Sequence, residues 1–255
     1  MPGSPITPVR LRSSNLPTPA RALAIGAHPD DIEFGCGATF AKWAAAGCEI
    51  HHLVCTDGSK GTWNPDADLT ALVAIRQAEQ REASRALGGG GEVVFVDQVD
   101  GELRNDRSTC SEVARWIREL RPDIVVGHDP WKRYRLHPDH REAGFLTCDA
   151  VVAARDPHFF REHGLAPHRP SALLLFEADA PTHVEDVTGY GHAKVAALEA
   201  HRSQFESTMF VPGDDDPSRD AALARFRRSI HDELATVGRA LGVAEAEAFA
   251  LIDDL

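Results

Sequence analysis

Short, mostly apolar runs alternate with longer segments of helical periodicity, and this alternation limits the fold of the chain more than any other feature. The runs are 22–27, 49–55, 92–97, 123–127 and 172–176, with Asp123-Ile124-Val125-Val126-Gly127 as a representative. The segments between and after them are 34–46, 70–88, 109–120, 139–154 and 190–206. A strand that is apolar throughout must be covered on both faces, and a helix between two strands returns the chain to run parallel to the first. The expected class is α/β, a mostly parallel sheet covered by helices on both faces. Gly88 to Gly91 stop the second helix after Leu87, and Arg121-Pro122 ends the third. Thr182 to Val187 reads as a short edge strand, and 218–240 as a last helix. The chain has 255 residues, enough for one large domain and too few for two typical enzyme domains. That domain is expected over 21–255. Residues 1–20, rich in Pro and Ser, are expected to form a weakly ordered arm or a docking strand.

The net charge of -12, from 27 basic and 39 acidic residues, disfavours nucleic acid or an anionic membrane as the main partner. No apolar stretch approaches the length of a membrane span. The N-terminal segment lacks the apolar core of a secretory signal. The five cysteines are odd in number, and no pair has zinc-ribbon or redox spacing. Reduced thiols in a cytoplasmic protein are the simplest account.

The first apolar run leads directly into Ala27-His28-Pro29-Asp30-Asp31, so a histidine and two carboxylates stand at the carboxyl end of a strand. Ligands bind there in open α/β sheets. Adjacent residues point in different directions, so one aspartate can bind a metal while the other stays free. Alone, the two aspartates would be taken as helix caps; His28 beside them favours a metal site. His137-Pro138-Asp139-His140 is a second unit, with two histidines on one face of a helical turn. Two histidines and a carboxylate leave coordination positions open, as catalytic zinc requires. The same set also suits non-haem iron(II).

In these motifs the chain resembles the LmbE/PIG-L family of zinc-dependent N-deacetylases. The resemblance is carried by Ala27 to Asp31 with Glu33 and Gly35-Cys36-Gly37, by Thr56-Asp57-Gly58, and by Arg76 with Glu79. It continues through Leu87-Gly88, His137 to His140, Lys194, Ala197-Leu198, His201-Arg202-Ser203-Gln204 and Glu247-Ala248-Phe249, and so spans about 22–250. Ala38 departs from the pattern, where many members carry a second glycine. The resemblance implies a Rossmann-like fold. It implies that His28, Asp31 and His140 bind one Zn2+ per chain, with Fe2+ as the alternative. Asp30 would be the general base and His137 a charged or hydrogen-bonding group facing the reacting carbonyl. The implied reaction removes an N-acyl group, acetyl in the first instance, from an amino sugar or glucosaminyl conjugate. A water activated by the metal would attack, and Asp30 would take its proton.

Further residues are weaker candidates for substrate contact: Asp57 after the second strand, Arg76 on the following helix, and Trp131 and Tyr134 in the polar, aromatic loop 128–136. Each also fits a turn, a surface pair or a solvent loop. His51 and His52 read as structural, and the cysteines as inert. The expected partner is a small N-acylated amino sugar, with a homo-oligomer left open. An amidase acting on a thiol-sugar conjugate is the nearest alternative. An iron(II) oxygenase and a non-catalytic sugar- or metal-binding module are alternatives of other classes. The parallel α/β pattern opposes the oxygenase, and Asp30 with His137, superfluous for a mere binder, opposes the module.

Overall fold

The computed structural model describes Leu11 and residues 13–255. Its strands are β1 (Ser13–Ser14), β2 (Arg21–Gly26), β3 (Glu49–Thr56), β4 (Val93–Gln98), β5 (Ile124–His128), β6 (Ala172–Phe176), β7 (His183–Asp186) and β8 (Ala246–Ile252). Its helices are α1 (Asp31–Ala45), α2 (Leu69–Ala86), α3 (Arg107–Leu120), α4 (Pro138–Arg155), α5 (Gly191–Ala200) and α6 (Arg219–Arg239). The strands form one sheet in the order β1-β7-β8-β6-β5-β2-β3-β4. From β6 through β4 all neighbours are parallel; β8 runs antiparallel to both β6 and β7.

Side chains alternate along β2, so Leu23 and Ile25 join one core and Ala22 and Ala24 the other. The first core is closed by Val113 and Ile117 of α3 with Leu146 and Ala150 of α4. The second is closed by Ile32, Phe40 and Trp43 of α1 with Ala197 of α5. Helices therefore cover both faces, as the apolar strands require. The chain passes outward from β2 to β3 and β4, then returns to β5 on the other side of β2. This reversal leaves a crevice at the carboxyl ends of β2 and β5, the usual ligand position in such sheets.

α1 is broken at Cys36, whose φ of -147° is not helical. Its second half begins with donors that have no partner inside the helix. Glu247 of β8 supplies one, accepting from the N–H groups of Ala38 (3.2 Å) and Thr39 (2.8 Å). Lys194 of α5 pairs with the same carboxylate at 2.7 Å.

Three expectations differ from the structure. Strand β8 went unforeseen. β7 falls within the expected 182–187, yet among the described residues it lies between β1 and β8 rather than at an edge. The helix expected over 190–206 stops at Ala200 and gives way to a 3-10 turn at Arg202–Gln204. Most of the expected N-terminal arm lies outside the described residues. Ser13–Ser14 pair with β7, and the N–H of Leu16 donates to Glu185.

Candidate metal and catalytic site

β2 ends at Gly26, and the chain turns into α1 through Ala27 to Asp30. Asp30 has a φ of 107°, a region seldom occupied by residues with a side chain. Its carboxylate caps nothing in the helix. Helix capping therefore does not account for Asp30. Neighbours hold the strained backbone: the N–H of Asp30 donates to Gln80 Oε1 at 3.1 Å, and Arg76 Nη2 donates to the Pro29 carbonyl at 2.6 Å. Arg76 Nη2 also stands 3.5 Å from Asp30 Oδ2.

Asp31 points elsewhere. Its Oδ2 accepts the N–H of His28 at 2.7 Å and lies 3.4 Å from the His28 ring. Its Oδ1 lies 3.3 Å from His140 Nε2. His137 is the N-cap residue of α4, with Pro138 at the first helical position, so His140 falls one turn on, over the same crevice. The rings of His137 and His140 stack at 4.7 Å, and His137 meets His28 edge-on at 4.6 Å. The five residues from the two motifs thus converge on one place.

Three more side chains join them. His128, the last residue of β5, brings Nε2 to 3.2 Å from Asp31 Oδ2 and stacks on His140 at 4.5 Å. Asp100 and Asp139 flank His28 Nε2 at 3.2 and 3.1 Å. Asp139 also accepts the N–H groups of Gly101 (2.6 Å) and Leu103 (3.3 Å), which ties the loop after β4 to α4. His128 was readable only as part of a pocket wall; its position at a strand's carboxyl end was the signal. Asp100 follows β4 in the same way. Asp139 looked like a helix-start residue.

The charges are strongly coupled. Burial acts against a charged His28, yet the surrounding Asp100, Asp139 and Asp31 hold its pKa well above the ordinary value. Burial would raise the Asp31 pKa, but His140 and His128 bring it well below. Asp30 behaves oppositely: burial, reinforced by Asp31 and opposed by Arg76, lifts it to about 6. Two adjacent carboxylates are therefore driven apart, a pattern typical of distinct acid-base roles. Burial lowers His140 to about 4, and burial with nearby His28 lowers His137.

Donor atoms cluster within 4.8 Å in each of three sets: His28, His137 and His140; Asp31, His128 and His140; His28, Asp100 and Asp139. Imidazole nitrogens with carboxylate oxygens are the donors that zinc and iron(II) prefer. The site fits a divalent ion of this kind. It opens into a cleft of about 710 Å³ walled also by Phe34, Lys60, Arg76 and Gln204.

The weaker candidates separate. Arg76 lines the cleft beside Asp30. Asp57 is not among its walls; its carboxylate accepts the N–H groups of Ser59 (2.9 Å) and Asp100 (3.1 Å). Trp131 and Tyr134 are 62% and 87% exposed and stand outside the cleft, Trp131 edge-on to Phe145. The 201–204 cluster packs against the site: His201 Nε2 lies 3.3 Å from Glu33, Ser203 donates to Glu79, and Gln204 donates to the Gly61 carbonyl. His51 and His52 are buried in β3, and all five cysteines are free thiols. Among the described residues, no helix is long and apolar enough to cross a membrane.

The profile of the PIG-L family, described as GlcNAc-PI de-N-acetylase, matches residues 23–151. Diacetylchitobiose deacetylase of Thermococcus kodakarensis is 36% identical over 193 residues, covering 74% of this chain and 72% of that protein. The 1D-myo-inositol 2-acetamido-2-deoxy-alpha-D-glucopyranoside deacetylase of Mycolicibacterium vanbaalenii is 31% identical over 237 residues, covering 72% of this chain and 81% of that protein. The solved structure of N,N'-diacetylchitobiose deacetylase from Pyrococcus horikoshii superposes with a TM-score of 0.81 at 30% identity, covering 92% of this chain and 84% of that one.

Proposed function

This chain belongs to the PIG-L family of de-N-acetylases, and from that premise we propose that it is a zinc-dependent hydrolase. It removes an N-acyl group from an amino sugar or glucosaminyl conjugate. The observation that carries the proposal is the contrast between Asp31, drawn into the histidine cluster, and Asp30, buried beside it with a carboxyl group raised to about 6. Residues 21–255 form the catalytic unit. The free thiols suit a cytoplasmic setting.

His28, Asp31 and His140 would hold the ion, with His128 within reach of the same position. When bound, the ion would polarise the amide carbonyl and acidify the attacking water. Asp30 then acts as general base. Burial raises its pKa to about 6 in the metal-free protein, above the ordinary carboxylate value, which favours holding the proton it receives until it passes to the departing amine. Gln80 and Arg76 fix the backbone on which Asp30 stands. His137, packed against the rings of His28 and His140 at the edge of the cleft, would hydrogen-bond to the developing oxyanion. The polar wall of Lys60, Asp100 and Gln204 suits sugar hydroxyls.

The test is amine release from a panel of N-acyl amino sugars by the zinc-loaded protein, with Asp30→Ala as control. Release by the native protein and a loss of about 100-fold or more in the variant, with metal retained, supports the assignment. Full activity in the metal-loaded variant would remove Asp30 from its role.

A further inference from the structure

One face of α2 grips both ends of a single peptide unit, the one between Pro29 and Asp30. Its carbonyl accepts from Arg76 Nη2 at 2.6 Å, and its N–H donates to Gln80 Oε1 at 3.1 Å. Arg76 and Gln80 are four residues apart on the helix, so one rigid element sets the spacing of the two contacts. Arg76, Gln80 and Asp30 are all buried.

The grip opposes a relaxed alternative. Asp30 has a φ of 107° and a ψ of -26°. Turning the peptide unit over, by half a turn, would carry φ from 107° to about -73°, which with that ψ is ordinary helical backbone. Asp30 would then extend α1 by one residue. The strained orientation persists because its surroundings over-determine it.

That orientation keeps Arg76 occupied. The Pro29 carbonyl takes the hydrogen bond from Nη2, and the Gly58 carbonyl takes one from Nη1 at 2.8 Å. The Asp30 carboxylate is left 3.5 Å from Nη2. A peptide turned over would withdraw the Pro29 oxygen. The freed guanidinium N–H would then bond the carboxylate and occupy an oxygen that has to accept a proton.

Gln80 can serve only one way round. A backbone N–H donates, so the amide must present its oxygen to Asp30. Its NH2 group then falls to Glu33, whose Oε1 accepts it at 2.7 Å. The other oxygen of Glu33 faces His201 Nε2 at 3.3 Å, and all three side chains are buried. We propose that Gln80 is a positioning residue for Asp30: it holds the Pro29–Asp30 peptide in its strained orientation, which keeps Arg76 off the base, and Glu33 fixes the amide of Gln80 for that task. The inference rests on Asp30 as general base in the function proposed above and adds the means by which that base stays free.

The test exchanges the two partners. Gln80→Glu keeps an oxygen for Asp30 but sets two carboxylates against each other, and adding Glu33→Gln returns a donor to the pair. The zinc-loaded full chain is assayed on the N-acyl amino sugar that the native protein cleaves fastest. In Gln80→Glu, kcat per bound zinc should fall at least about tenfold with KM little changed, and the double variant should recover most of the loss. A purely structural defect would lower zinc occupancy and leave kcat per bound zinc as it was. Gln80→Met removes the oxygen without adding charge, and should show the same fall if Gln80→Glu does not fold. In metal-free Gln80→Met, hydrogen exchange at the Asp30 amide should quicken about fivefold or more. Native kcat per bound zinc in Gln80→Met, unchanged exchange, or a loss in Gln80→Glu that the exchange of partners does not restore overturns the inference. Asp30→Ala runs beside them. Full activity there removes the base itself, whereas an inactive Asp30→Ala beside an active Gln80→Met overturns the clamp alone. If the native protein releases amine from no substrate, the N-deacylase function falls, and the exchange measurement still decides whether Gln80 holds the peptide.

Discussion

Replacing Asp30 by asparagine should stabilise the metal-free protein at neutral pH while disabling it. Asp30 is buried, and its pKa of about 6 exceeds the ordinary 3.8. Between those two values the folded protein holds a proton that the unfolded chain has released. Stability therefore falls as pH rises through this window, and the full loss is present above about pH 6. The difference of about 2.2 pH units, at about 1.36 kcal/mol each, comes to about 3 kcal/mol at neutral pH. Asparagine has nearly the same shape, tolerates positive φ and carries no charge, so it escapes this loss. Arg76 forfeits a counter-ion but keeps its bonds to the Gly58 and Pro29 carbonyls, which makes about 3 kcal/mol the upper limit of the gain. In a protein of this size that limit corresponds to roughly 6–12 °C in Tm. Thermal unfolding of both proteins in chelator, at about pH 7.5 and pH 4.5, measures it, and the gap should shrink to about 1 kcal/mol at the lower pH. No gap at neutral pH, or a gap that ignores pH, would refute the reasoning that the folded structure holds Asp30 at an energetic cost.

Other expectations concern the same neighbourhood. Asp31→Ala should weaken zinc binding by about 100-fold or more, read by competition with a chromophoric chelator; retained affinity would move the ligand role to His128 and its neighbours. The acid limb of kcat/KM should lie at or below about pH 6, because Asp30 must be ionised to accept a proton and a bound cation can only lower its pKa. Arg76→Gln should shift that limb upward, since the guanidinium favours the carboxylate; a downward shift would contradict the pairing. A Cβ at Gly35 would stand 2.6 Å from Cγ of Phe176, so Gly35→Ala should cost about 1–3 kcal/mol in urea unfolding. A neutral result there would mean that α1 can shift away from β6.

The central strands were legible because their middles are dense in apolar residues: β5 and β6 fall within a residue of their expected bounds. β8 was not, since Ala-Glu-Ala-Phe-Ala-Leu-Ile alternates weakly and its glutamate gives no hint of burial. That glutamate is buried because it serves α1 and Lys194, which lie roughly 200 and 50 residues away in sequence. The site divides along the same line. His28, Asp30, Asp31, His137 and His140 occur in two compact motifs at a strand end and a helix start. Asp100 and Asp139 owe their position to contacts between the β4 loop and α4, which no local pattern encodes. Trp131 and Tyr134 stand in a loop between a strand's carboxyl end and His137, where a pocket wall is expected, but the backbone turns them into solvent.

The place of β8 has a consequence for how the protein is made. A ribosome delivers the chain from the amino end, and domains tend to fold as they emerge. β2 to β6 can assemble while translation continues. β7 cannot, because its neighbour toward the centre of the sheet is β8. Nor can the second half of α1 gain its cap before Glu247 has been synthesised. The helix that carries Asp31 is thus among the first to be made and among the last to be finished. A nascent chain arrested before residue 247 should hold most of the sheet and still lack the rigidity on which its reactive carboxylates depend.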